Sequence, residues 1–187
     1  GKVFSREELQ AIAKVCIEKN IIAITDEVYE ELTYDPTRPH VSLATLDGMA
    51  ERTVTLSSLG KSFALTGWKI GWAITTPELS RAVRAAHQFL TFATATPLQH
   101  GAAAALLNAG GYLQPQREML IRNRNALAAA LERIGLIAHP SDGTYFIMAE
   151  HTALSKRLGL ADDVAFCRYL TEHVKVAAIP PTAFYAN

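Results

Sequence analysis

The chain has 187 residues, 49% hydrophobic and 19% charged, which is ordinary usage for a globular protein with room for a sizeable core. Its 18 basic side chains balance 18 acidic ones, so there is no electrostatic reason to expect nucleic acid or an anionic membrane as partner. No apolar run is long enough to cross a bilayer, and Gly1–Ser5 passes into a helical pattern without a secretory apolar region.

Ser5 and Glu8 have the spacing of a capping box, and Leu9, Ile12, Ala13, Cys16 and Ile17 then recur at helical spacing. Asn20 can close this helix. Ile21–Thr25 is a continuous apolar run of the kind buried on both faces of a sheet, and it ends in Asp26-Glu27. Residues 34–50 read as a loop and an irregular stretch, punctuated by Asp35-Pro36 and Arg38-Pro39. Thr53–Ser57 is a second strand, Ser57–Lys61 a turn, and Lys69–Ile74 a third strand.

Thr76 caps the next helix with Pro77 at its first position. Pro97 opens an Ala-rich helix that Gly110-Gly111 ends, and a long helix runs from about Gln114 to Ile134, closed by Gly135. Gly135–Ala138 and Gly143–Met148 read as a hairpin of strands. Asp162 or Asp163 caps a helix to about His173, and Val176–Ile179 is a last strand before Pro180-Pro181. Helices alternating with short buried strands make the chain α/β with a mainly parallel sheet in the first half. The division is expected near the long helix, with residues 1–113 in one domain and 114–187 in a bridging helix and a smaller α+β domain.

Cys16 and Cys167 sit in apolar helical patterns and read as buried free thiols, with a reducing cytoplasm as the default compartment. The six histidines share no metal-ligand spacing, and no metal site is expected. No GxSxG, GxGxxG or P-loop pattern occurs. In open α/β sheets ligands gather at the carboxyl ends of strands. There the chain places Asp26 and Tyr29 after the first strand, Ser57, Ser58 and Lys61 in the turn after the second, and Lys69 at the start of the third. Taken singly, each fits a plainer role. Asp26 suits a strand-end cap, Tyr29 a rim aromatic, the serines turn formers, and the lysines solvated charges. Glu27 and Glu30 read as solvated or locally paired, and Trp68 and Trp72 as core.

The ordered set is more specific than its members. Asp26-Glu27-Val28-Tyr29, Ser58-Leu59-Gly60-Lys61-Ser62-Phe63 and Thr66-Gly67-Trp68-Lys69-Ile70-Gly71-Trp72 resemble the class I pyridoxal-phosphate-dependent aminotransferases. Within these the chain looks most like the branch of kynurenine aminotransferases (glutamine transaminase K) and bacterial methionine aminotransferases. The likeness continues through His87–Phe92, Thr96–Gln99, Gly143–Phe146 and Val176–Pro180, and so covers essentially the whole chain.

The resemblance implies the aminotransferase large domain followed by part of the small one, and pyridoxal 5'-phosphate as cofactor. It implies that Lys61 forms the Schiff base and moves the substrate proton, that Asp26 pairs with the pyridine nitrogen, and that Tyr29 bonds the ring's phenolic oxygen. Ser58 and Lys69 would hold the phosphate. Many relatives have arginine at the Lys69 position, whereas the kynurenine branch carries lysine. Phe92 matches a loop that reaches the neighbouring subunit's substrate pocket, so a homodimer is implied. The substrates would be an amino acid of methionine, glutamine or aromatic type and a 2-oxo acid.

A cysteine-conjugate β-lyase on the same cofactor, or a truncated non-catalytic remnant, are the competing expectations. Gly1-Lys2-Val3-Phe4 resembles the tail of an N-P-x-G-K-V-F segment whose asparagine contacts the cofactor ring. The arginine that clamps the substrate carboxylate would follow soon after Asn187. The expectation is therefore an interior piece of a longer enzyme.

Overall fold

The Ser5 hydroxyl accepts from the Glu8 backbone N–H while the Glu8 carboxylate accepts from Ser5 N–H, and this reciprocal cap starts α1 (Arg6–Glu18). Asn20 follows the helix in the left-handed conformation, φ 50°, which asparagine tolerates better than most residues. The computed structural model describes residues 1–139 and 141–185; the expected chain end at Ala186-Asn187 lies outside them. The chain divides into two units. The first is Gly1–Ile121 with Asp142–Tyr145, and the second is Arg122–Ser141 with the residues from Phe146 onward. The sequence placed the division at 113/114. In the structure it falls inside a helix, and four residues of the later chain return to the first unit.

The first unit holds a three-stranded sheet in the order β1 (Ala23–Asp26), β2 (Thr53–Ser58), β3 (Gly71–Ile74). β1 and β2 are parallel, with Ala23 opposite Thr53 and Asp26 opposite Leu56. β3 is antiparallel to β2, with Thr55 opposite Ile74 and Ser58 opposite Gly71. Of the two pairings only one is therefore parallel. The β2–β3 connection holds only two short helical turns, α2 (Leu59–Ser62) and a 3-10 turn at Thr66–Trp68, and no helix long enough to pack across the sheet as a crossover usually does.

β1 was expected to be buried on both faces. It is an edge strand in this sheet, with Ile24 70% exposed, while Ala23 packs on the α1 side. Successive side chains of a strand point to opposite faces, and only one face of β1 is covered among the described residues. Leu9, Ala13 and Cys16 of α1 meet Leu43, Leu46 and Met49 to form one core cluster. Burying each of the Leu and Met side chains is worth roughly 1.5–3 kcal/mol. A second cluster joins Leu59, Phe63, Ile70 and Ala102, with Trp68 and Trp72 packed against it as core aromatics.

Thr76 caps α3 (Pro77–Leu90) by accepting from Leu79 N–H, as its sequence indicates. Pro97 lies in the first turn of α4 (Thr96–Leu107), which ends at Asn108. Gly110-Gly111 do not end α4; they begin α5 (Gly110–Arg133), which carries Pro115 in its second turn. Gly135 follows at φ 87°, a value that suits glycine. No helix among the described residues is long and apolar enough to cross a membrane.

In the second unit β4 (Ile137–Ala138) pairs antiparallel with β5 (Ala149–Glu150). The expected strand at Gly143–Met148 is absent, because its leading backbone groups are taken elsewhere. Gly143 bridges Thr33, and Thr144 N–H donates to Leu32 O. α6 (Thr152–Leu158) was not anticipated. Asp162 caps α7 (Asp163–Tyr169), which continues as a π turn over Leu170–Val174. Val176–Ile179 forms no strand, since no other described segment pairs with it. Cys16 is buried and Cys167 half-buried, and both are free thiols.

Candidate active site

β1 delivers Asp26 at its last position, and the chain then turns through Val28–Glu31. Asp26 Oδ1 accepts from Val28 N–H at 3.2 Å, which fixes the start of that turn. Glu27 N–H donates to Leu56 O at 2.8 Å, carrying the parallel pairing one residue past the strand. Asp26 and Tyr29 are thus set by the same backbone, beside the end of β2.

Ser57 and Ser58 are strand residues, not turn residues. Ser57 is buried and its hydroxyl donates to Glu30 Oε1 at 2.6 Å. Ser58 ends β2 and caps α2, its Oγ accepting from Gly60 N–H at 3.1 Å. That leaves the Ser58 O–H to donate. Lys61 follows in α2, where Thr66 Oγ1 donates to Gly60 O and Gln116 Nε2 to Lys61 O.

Lys69 lies two residues before β3, not within it, and adopts the left-handed conformation at φ 56°. Leu59 N–H donates to Ile70 O at 3.2 Å, so the Lys69 backbone runs beside the Ser58–Lys61 turn. Gly71 makes that approach possible: a Cβ there would lie 2.9 Å from Ser57 O.

Lys61 Nζ stands 6.0 Å from the ring centroid of Tyr29 and 5.7 Å from that of Tyr145, within the range of a cation–π contact. The two phenol oxygens are 3.5 Å apart and the rings meet edge to face. Burial and the hydrogen bond to Tyr145 push the Tyr29 phenol far above its ordinary range. Burial also pushes Tyr145 up, but hydrogen bonds from Tyr29 and from Lys61 outweigh it and leave that phenol below the usual value.

Tyr145 had no role assigned from sequence. It is brought in by a clamp on residues 142–145: the Thr33–Gly143 bridge, Thr144 N–H to Leu32 O, Tyr34 N–H to Asp142 O, and the Tyr34 hydroxyl on Thr144 O. The only sequence pointer to it was the Gly143–Phe146 block of the resemblance, because nothing local links position 145 to position 29.

His40 was also missed. Its Nε2 lies 2.7 Å from Glu27 Oε2, and Glu27 is 8% exposed. Glu27, Glu30 and His40 bring three ligand-capable atoms within 4.8 Å of one another, a grouping invisible in their spacing. A cavity of about 430 Å³ borders Asp26, Glu27, Tyr29 and His40. Phe92, at φ 67° and 85% exposed, is outside the contacts of Lys61.

The aminotransferase class I and II family model matches residues 1–187. A probable N-succinyldiaminopimelate aminotransferase of Mycobacterium tuberculosis is 47% identical over 98% of this chain and 45% of its own length. Human kynurenine–oxoglutarate transaminase 3 is 38% identical over 98% and 43%. The chain thus spans less than half the length of these relatives. The solved N-succinyldiaminopimelate aminotransferase of Mycobacterium tuberculosis superposes on all of this chain and 47% of its own, with TM-score 0.92 and 45% identity. Escherichia coli YbdL, described as having a methionine aminotransferase function, superposes on all of it and 47% of its own with TM-score 0.89 and 33% identity. Motif order, fold and family model agree over every part of the sequence, and the chain belongs to the class I and II aminotransferases.

Proposed function

We propose that the protein containing this chain transfers an amino group between an amino acid and a 2-oxo acid, using pyridoxal 5'-phosphate held by Lys61, Asp26, Tyr29, Ser58 and Lys69. The observation that carries this reading is the Lys61 amine set over two hydrogen-bonded phenols, in the turn beside the strand that ends in Asp26. The donor set fits the group: an amine for the aldehyde, an exposed carboxylate for the ring nitrogen, a phenol for the ring oxygen, and a hydroxyl with an ammonium for the phosphate. When bound, the cofactor supplies an electron sink for the substrate's Cα electrons.

The chain's own residues do the rest. Lys61 Nζ would anchor the cofactor and, once freed by the substrate's amino group, would take the proton from the substrate Cα and pass it to the carbon that had carried the aldehyde. Tyr145 would hold the Lys61 amine whenever it is not bonded to the cofactor, through the hydrogen bond that lowers its own phenol. Asp26 carries the negative charge that keeps a pyridine nitrogen protonated. Ser58 donates to an anion, and Lys69 adds a point charge where an arginine would add a fork.

As amino donors we propose methionine, glutamine or aromatic amino acids, supported by the kynurenine transaminase and YbdL similarities. The higher identity to the N-succinyldiaminopimelate enzyme, 47% against 38%, favours a second reading in which the donor carries a long acidic side chain. Phe92 is proposed to act across a homodimer interface. Residues 1–113 are assigned to the cofactor-binding large domain, and 114–187 to the bridging helix and small domain.

The full-length protein should be incubated with pyridoxal phosphate, reduced with borohydride and mapped by peptide mass, with Lys61→Ala as control. Cofactor mass confined to the Lys61 peptide supports the assignment, and labelling scattered over surface lysines in both proteins sinks it. Donor kcat/KM values for methionine, kynurenine and N-succinyldiaminopimelate then separate the two substrate readings. Pyruvate release from a cysteine conjugate would identify a lyase.

A further inference from the structure

We propose that Glu27 and His40 form a positioning pair that holds Asp26 and Tyr29 in register at the cofactor site, with His40 protonation coupled to cofactor affinity. The inference rests on the cofactor reading given above.

The geometry begins at Glu27, which directly follows Asp26 and precedes Tyr29 by two residues. Its backbone extends the β1–β2 pairing, and its carbonyl accepts from Glu30 N–H at 2.9 Å. Its side chain is buried and its carboxylate meets four polar partners. Oε1 accepts from Thr25 Oγ1 at 2.8 Å, Ser42 Oγ at 3.1 Å and Leu43 N–H at 3.4 Å, and Oε2 meets His40 at 2.7 Å. One buried carboxylate thus ties the strand end to residues 40–43, a loop otherwise distant in sequence. Asp26 itself is held by its pairing opposite Leu56 and by the 3.2 Å bond from Val28 N–H to its carboxylate, and Glu27 anchors the residue that follows it.

The pair is also charged. The hydrogen bond to Glu27 raises the His40 imidazole above its ordinary value against the opposing effect of burial, and the charges of Glu27, Glu30 and Glu31 add to the rise. Burial penalises the Glu27 anion, but the bonds from His40, Thr25 and Ser42 hold its carboxyl below the ordinary range. Loss of the imidazolium proton leaves a buried carboxylate with only neutral donors, and a buried charge without a counter-charge is poorly held. The strand end then loosens, and Asp26 and Tyr29 move with it. Binding linkage is reciprocal: if protonated His40 favours the cofactor-bound arrangement, bound cofactor must favour protonated His40.

The test uses the full-length protein with and without pyridoxal phosphate. The His40 imidazole is titrated by NMR in each state, and the cofactor dissociation constant is measured by absorbance across the same pH range. We expect the imidazole to titrate at higher pH with cofactor bound, and affinity about threefold or more weaker above that titration than below it. His40→Gln, which keeps a neutral hydrogen bond, should flatten the pH dependence while leaving binding measurable. Identical imidazole titrations in the two states overturn the proposal without recourse to any variant. A His40→Gln protein whose affinity keeps the wild-type pH curve also overturns it. Failure of the full-length protein to bind the cofactor at all is a different outcome, and it removes the reading of the site along with this inference.

Discussion

Tyr29 and Tyr145 are 116 positions apart in the chain and meet with their hydroxyl oxygens 3.5 Å apart and their ring centroids 5.7 Å apart. Lys61 Nζ lies over both rings. Their titrations are displaced in opposite senses, upward for Tyr29 and downward for Tyr145, as expected when one phenol holds its proton for the other to accept.

Removing the Tyr145 hydroxyl therefore exposes the pairing. In Tyr145→Phe the Tyr29 phenol should titrate closer to its ordinary range, although burial still holds it somewhat high. In the full-length protein kcat/KM should fall about tenfold, equivalent to ~1.4 kcal/mol, the size of one hydrogen bond to a charged group. Ultraviolet titration and steady-state kinetics check the two halves. An unchanged Tyr29 titration would remove the pairing argument.

The clamp that presents Tyr145 depends on a missing side chain. A Cβ on Gly143 would lie 2.6 Å from Leu32 O, where backbone cannot yield cheaply. Gly143→Ala should cost ~1–3 kcal/mol of stability. It should also shift the Tyr29 titration in the same direction as Tyr145→Phe, because the bridge to Thr33 opens. Denaturant unfolding gives the first quantity and the titration the second.

Lys69 holds a left-handed conformation that costs a non-glycine residue about 1 kcal/mol. Lys69→Gly relieves that strain but loosens the unfolded chain by a similar amount, so stability should stay within ~1 kcal/mol of wild type. Cofactor affinity should nevertheless fall about tenfold, through loss of the charge proposed to hold the phosphate. Equal affinity in the variant would take Lys69 out of the site.

The Glu27–His40 pair gives stability a defined pH window. Glu27 is lowered in the folded state, so its contribution is present above the unfolded carboxylate value near 4.5 and is lost as pH falls through the folded one. His40 is raised, so its contribution is full below the unfolded imidazole value near 6.5 and is lost as pH rises through the folded one. Unfolding free energy should thus decline on both sides of that interval. Glu27→Gln should remove the acid-side decline belonging to this pair and flatten the alkaline one. Urea midpoints measured from pH 3 to pH 9 decide it.

The sequence by itself determined the local devices and the motif block that contains Lys61. The Ser5–Glu8 cap, the Thr76 cap, Asp162 at the head of α7 and the strand ending at Asp26 all formed as their residues indicate, because each depends on neighbours within a few positions. The motif order around Lys61 placed the chain in its family before any coordinate was needed. Only the tertiary structure decided what distant segments share. It turned β3 antiparallel, drew Gly143 and Thr144 out of an expected hairpin to residues 32–33, set Tyr145 beside Lys61, and buried Glu27 on His40. Those outcomes depend on which backbone groups and charges compete for the same partners in three dimensions. Local pattern carries no record of that competition.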